Sequence, residues 1–79
     1  MPTGMLVGPY RFFFYSNEGN DPPHIHVAAG GNAATYWLLP VSLASNRGFT
    51  ARELRDVENI IHAHVTALRG AWDAHHVQP

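Results

Sequence analysis

Phe49-Thr50-Ala51-Arg52-Glu53-Leu54 marks the point where the chain changes period. Before it, apolar residues alternate as on a strand; after it, they recur every three to four positions, as on a helix. Thr50-Ala51-Arg52-Glu53 has the form of a capping box. The Thr50 hydroxyl can accept from the Glu53 amide, and the Glu53 carboxylate can accept from the Thr50 amide. Phe49 before the cap and Leu54 after it match a hydrophobic staple. The spacing predicts a helix from Ala51 to about His76. Leu54, Val57, Ile61, Val65, Leu68 and Trp72 share one stripe, widened by Ile60 and Ala71. Arg52–Asp56, Glu58–His62 and Arg69–Asp73 are pairs at helical spacing on the outer faces. Gly70 costs about 1 kcal/mol relative to alanine and offers a place for a bend.

Upstream, three segments read as strands. The first runs from Met5 to Tyr15, with Gly8-Pro9 as a turn or bulge signal near its start. In it Tyr10, Phe12 and Phe14 face one way, and Arg11, Phe13 and Tyr15 the other. Both faces are apolar enough to ask for cover. Ser16 to Pro23 is rich in turn formers and reads as a loop. The second strand is His24 to Ala28, with Ile25 and Val27 opposite His24 and His26. Gly30-Gly31-Asn32 is a hairpin connection. The third strand is Ala33 to Leu39, ended by Pro40; Val41 to Ala44 reads as a short extra strand or a turn, and Asn46 to Phe49 as a loop. The expected fold is α+β: a small antiparallel sheet of three to four strands, followed by one long C-terminal helix packed on it. A single domain spans 1–79, with the sheet in 1–45 and the helix in 50–76. One helix covers one sheet face, so the aromatic second face predicts a homodimer.

Composition narrows the function classes. The 79 residues include no cysteine and no lysine; five arginines stand against six carboxylates, with six histidines and a formal net charge of -1. A domain this short buries only about 60–65% of its unfolded surface. A Cys-based zinc finger, a disulfide scaffold and a strongly basic tail are excluded. Met1-Pro2-Thr3-Gly4-Met5 does not read as a secretory signal, and no apolar run approaches the roughly 20 residues that span a bilayer. A soluble, cytoplasmic protein without a membrane role is expected.

His24-x-His26 is the sharpest local motif. On a strand both imidazoles project from one face, with Cα atoms roughly 6.5–7 Å apart. They are the candidate catalytic residues, as acid–base groups near neutrality, and the candidate metal ligands. The sequence calls for no cofactor beyond a divalent metal at this pair, which would need a third ligand from Asp21, Glu18 or a helix histidine. The plainer reading is that Pro22-Pro23 set the strand entry and the histidines pack locally. His64 and His75 lie on or beside the apolar stripe and read as core; His62 and His76 lie on the outer flank. Arg11, Arg47, Arg52 and Arg55 are candidates for an anion, phosphate or partner contact, the last three near a helix N-terminus. Phe13, Tyr15, Tyr36 and Trp37 could stack on bases if exposed, although such aromatics more often fill a core. A net charge of -1 does not favour a strong RNA grip.

Gly8-Pro9-Tyr10-Arg11-Phe12-Phe13-Phe14-Tyr15-Ser16-Asn17-Glu18, Pro22-Pro23-His24-Ile25-His26-Val27, Tyr36-Trp37-Leu38 with Pro40, and Asn46-Arg47-Gly48-Phe49-Thr50 before Glu53-Leu54 resemble the small prokaryotic domain-of-unknown-function family 4160. The opening Met-Pro-Thr and the late Ala71-Trp72 fit as well. The chain departs from the family pattern at Leu39, where an aspartate is common, at Ala28-Ala29, where a charge is usual, and at His75-His76, which replace aromatics. Leu39 counts against any mechanism that needs a carboxylate there. The resemblance carries no chemistry with it. It implies a gene beside that of a second small protein, in arrangements proposed as toxin–antitoxin pairs. The leading expectation is therefore a cytoplasmic protein-binding component of such a two-gene module, as a homodimer or with the small partner encoded nearby. The alternatives are an RNA-directed toxin or nuclease using His24 and His26 with Arg11 or Arg47, and a metal-binding protein built on His24-x-His26.

Overall fold

A computed structural model describes residues 4–15 and 20–76. Strands β1 (Gly4–Val7), β2 (Tyr10–Phe13), β3 (His24–Ala29), β4 (Asn32–Leu38) and β5 (Val41–Arg47) precede helix α1 (Ala51–His75). The strands form one antiparallel sheet in the order β1-β2-β3-β4-β5. The fold is α+β, an open sheet followed by a single long helix.

The strand count exceeds expectation by two local events. The segment expected as one strand from Met5 folds into a hairpin at Gly8-Pro9, where Gly8 takes a φ of 56° that side chains rarely adopt. The second event is β5, which is a full strand instead of a short extension or turn. It pairs with β4 from Leu38↔Val41 to Ala33↔Arg47, with a bulge near Thr35 and Tyr36. Val-Ser-Leu-Ala-Ser-Asn-Arg has little β-branched or aromatic character; pairing with β4 overrides that weak propensity. Asn46 and Arg47 thus end a strand, and the loop is shortened to Gly48, Phe49 and Thr50. Of the expected loop from Ser16 to Pro23, residues 16–19, Glu18 among them, lie outside the described residues.

Alternation sorts the strands into two faces. Tyr10, Phe12, Phe14, Ile25, Val27, Ala34, Tyr36 and Leu38 are buried against Val57, Ile61, Leu68 and Trp72 of α1. Leu54 and Val65 complete the stripe half-buried. The cap forms as expected: the Glu53 amide donates to Thr50 Oγ1 at 3.1 Å, and the Thr50 amide to Glu53 Oε1 at 2.9 Å. Phe49 is buried and meets the Tyr10 ring at 6.0 Å, which fixes the entry of the helix. Two polar ties then hold α1 to β4. The Tyr36 hydroxyl lies 3.2 Å from both the Leu54 carbonyl oxygen and Glu58 Oε2, and donates its one proton between them. Arg69 Nε donates to the Leu38 carbonyl at 2.7 Å. The helix runs unbroken through Gly70. His64, expected in the core, is exposed, and His75 is half-buried against Phe14. Among the described residues no helix is long and apolar enough to cross a membrane.

Candidate ligand-binding site

The helix covers one face, so the other face of the sheet presents the remaining half of each strand. Cross-strand pairing arranges these residues in rows. Phe13, His26, Thr35 and Ser45 form one row across β2 to β5. Arg11, Ala28, Ala33 and Arg47 form the next, and His24, Trp37 and Ser42 the row on the other side. In the row of Arg11 and Arg47 two alanines separate two exposed arginines, so the sheet surface is low between them. Three strand spacings put Arg11 and Arg47 roughly 14 Å apart along that row.

A concavity of about 300 Å³ opens here, lined chiefly by Phe13, Tyr15, His26, Thr35, Ser45 and Arg47. Its aromatic end is ordered by ring contacts. Phe13 stacks on His26 at 5.6 Å and 22°, and Tyr15 meets His26 edge-on at 4.6 Å. His26 Nδ1 and Thr35 Oγ1 are 3.2 Å apart and share a hydrogen bond that sets the imidazole orientation. The Arg11 guanidinium lies over the Phe13 ring at 5.5 Å. The other end carries the Ser45 hydroxyl and the Arg47 guanidinium.

The two strand histidines part company. His26 is half-buried and lines the concavity. His24 is only 4% exposed; its Nδ1 donates to the Pro22 carbonyl at 2.9 Å, and its ring lies 5.5 Å from Trp37 and 4.8 Å from Trp72. It wedges the sheet against the helix end. Asp21 is exposed, and among the described residues no cluster of three histidines or carboxylates could hold a metal ion. Arg52 and Arg55 are exposed on the first turns of α1 and do not line the concavity.

His76 was expected on the outer flank, and its position is different. Its Nδ1 lies 3.0 Å from the Trp72 carbonyl oxygen and its Nε2 2.9 Å from that of Tyr15. Each ring nitrogen thus faces a carbonyl oxygen, which can only accept, so a ring N–H donates where it meets one. His76 therefore ties the end of α1 to the chain leaving β2 and sets the position of Tyr15. The sequence signal for it was weak: only the departure from the family's aromatics at His75-His76 pointed there. Ser45 and Thr35 went unnoticed because their place beside His26 depends on the register of three strands.

A family model, Domain of unknown function (DUF4160), matches residues 10–73. That stretch contains every residue of the concavity. No curated protein and no solved structure matches the chain.

Proposed function

The chain belongs to the DUF4160 family, and on that premise we propose that it is a binding component of a cytoplasmic two-protein module, joined to its partner through the β5 edge. One observation carries this reading. β5 is an outer strand of seven residues, Val41–Arg47, exposed over six of them. Outer strands present unpaired backbone donors and acceptors, and proteins usually blunt them with lysine, proline, inward charges or short length. β5 has none of these before Arg47; its one protective device is the bulge at Ala44, between the Ser45 and Leu43 pairings. Apolar side chains gather beside it: Leu39 is 64% exposed, Leu43 42% and Trp37 36%. A partner strand added at β5 would satisfy the backbone and bury Leu43, the usual pattern of β-addition. The homodimer was expected to cover the aromatic second face of the sheet; a second copy could instead pair at this edge.

Co-purification with the neighbouring gene's product tests the reading. A stoichiometric complex that Leu43→Lys abolishes, with the thermal midpoint of the variant unchanged, is the expected result. A protein that stays alone and monomeric by analytical ultracentrifugation sinks it. The same measurement separates a homodimer from a heteromeric complex. The nuclease reading needs two accessible histidines, and only His26 faces the concavity. The metal reading draws no support from the described residues, since His24 Nδ1 is engaged with Pro22 and no third ligand joins the pair.

A further inference from the structure

Charge is divided unevenly between the two layers. The five strands contain no aspartate or glutamate, yet they hold Arg11, Arg47, His24 and His26. The helix holds Glu53, Asp56, Glu58 and Asp73 against Arg52, Arg55 and Arg69. The net charge of -1 therefore conceals a cationic sheet. On its open face, neither Arg11 nor Arg47 pairs with a carboxylate among the described residues.

The concavity repeats this division on a small scale. One end is aromatic, with Tyr15, Phe13 and His26; the other is cationic and hydroxylic, with Arg47 and Ser45, and the Thr35 hydroxyl, bonded to His26, lies between them. A volume of about 300 Å³ is at the lower end of small-molecule sites. A ligand that fits must be small, with a flat ring at one end and a strong anion at the other. We propose that this concavity is a nucleotide site: it takes one nucleoside monophosphate unit, either free or as one residue of a single RNA strand. The base packs on Tyr15 and the edge of His26, as bases do on aromatic platforms. The phosphate accepts from the Arg47 guanidinium, whose planar fork suits its oxygens. Ser45 and Thr35 offer hydroxyls to the sugar. Arg11, at the far end of the row that ends in Arg47, does not line the concavity, so a single unit held there does not touch it. It can meet only a further phosphate of a strand. No covalent step is involved; the site uses the Ser45 and Arg47 side chains on the open face of β5, whereas partner pairing uses the backbone edge of the same strand.

Fluorescence anisotropy with a labelled single-stranded RNA decamer and calorimetry with adenosine monophosphate test the proposal on the full chain. Binding of at least one probe is expected. Arg47→Ala and Tyr15→Ala should each weaken it about tenfold or more, with circular dichroism spectra and melting unchanged. Arg47→Lys, which keeps the charge but loses the fork, should fall between wild type and Arg47→Ala. If the ligand is a free nucleotide, Arg11→Ala leaves binding unchanged; if it is a strand, Arg11→Ala weakens the decamer and lowers the salt dependence. Leu43→Lys should affect neither. The proposal is overturned if neither probe binds at millimolar concentration, or if binding is indifferent to both Arg47→Ala and Tyr15→Ala.

Discussion

The two faces of the sheet are made from alternating residues of the same five strands, and they have opposite fates. The face under α1 is closed by Phe12, Ile25, Val27, Tyr36 and Leu38, all fully buried. The open face carries arginine, histidine, hydroxyls and partly exposed rings. Strand alternation alone makes two faces; the single helix makes them unequal. Stability should therefore be concentrated on one face and recognition on the other.

The sharpest way to break that division is to truncate matched aromatics. Phe12→Ala, on the closed face, should cost about 3–5 kcal/mol, enough to threaten folding of so small a domain. Trp37→Ala, on the open face, should cost far less, because the ring is already 36% exposed. Urea denaturation of the two variants measures the contrast; equal losses would mean the faces share the load. A smaller effect should come from Tyr36→Phe, which removes the hydroxyl that ties β4 to Leu54 and Glu58. A loss of about 1–2 kcal/mol is expected.

Tyr36 also gives the comparison a pH dependence. Burial first, and then the charge and hydrogen bond of Glu58, hold its hydroxyl well above the ordinary tyrosine value. Tyr10 shifts in the same direction, through burial and then Glu53 and Asp56. Both groups are thus harder to ionise folded than unfolded. Their contribution to stability is complete below the unfolded value of about 10 and declines as pH rises above it. Thermal midpoints from neutral pH into that alkaline range should fall for wild type and fall less for Tyr36→Phe. A parallel decline in both proteins would remove Tyr36 as the cause. The smallest effect expected is that of Thr50→Ala, about 1 kcal/mol from the lost cap, read in the same denaturation series.

Much of this division was legible from residue order. The capping box, the staple and the stripe from Leu54 to Trp72 placed the helix because they are local signals. The alternation in β3 separated Ile25 and Val27 from the histidines for the same reason. β5 was hidden, since Ser42, Ala44, Ser45 and Asn46 have nothing to pack against and so show no strand pattern; the edge of β4 recruits them. The different environments of His24 and His26 were equally hidden. Their spacing is symmetrical, but only His24 lies beside the helix end, where Trp72 closes over it. His64 shows the reverse: it lies beside the apolar stripe, but it borders an opening shared with Gly4 and Met5 of β1 and stays exposed.

The strand order has a further consequence for synthesis. Gly8-Pro9, Gly30-Gly31 and Leu39-Pro40 each join strands that pair with each other, and every strand pairs with its neighbour in the chain. Such low contact order lets hairpins close in microseconds, whereas a ribosome adds about 5–20 residues per second. We expect the sheet to pair before α1 has left the ribosome. Nascent chains arrested once Arg47, but not α1, has cleared the ribosome should bind an apolar-surface dye that released chains do not; an absence of dye binding would show that the sheet waits for its helix. For the seconds before α1 emerges, both faces stand open to the surroundings, and the newborn sheet depends on whatever meets Phe12, Ile25 and Tyr36 first.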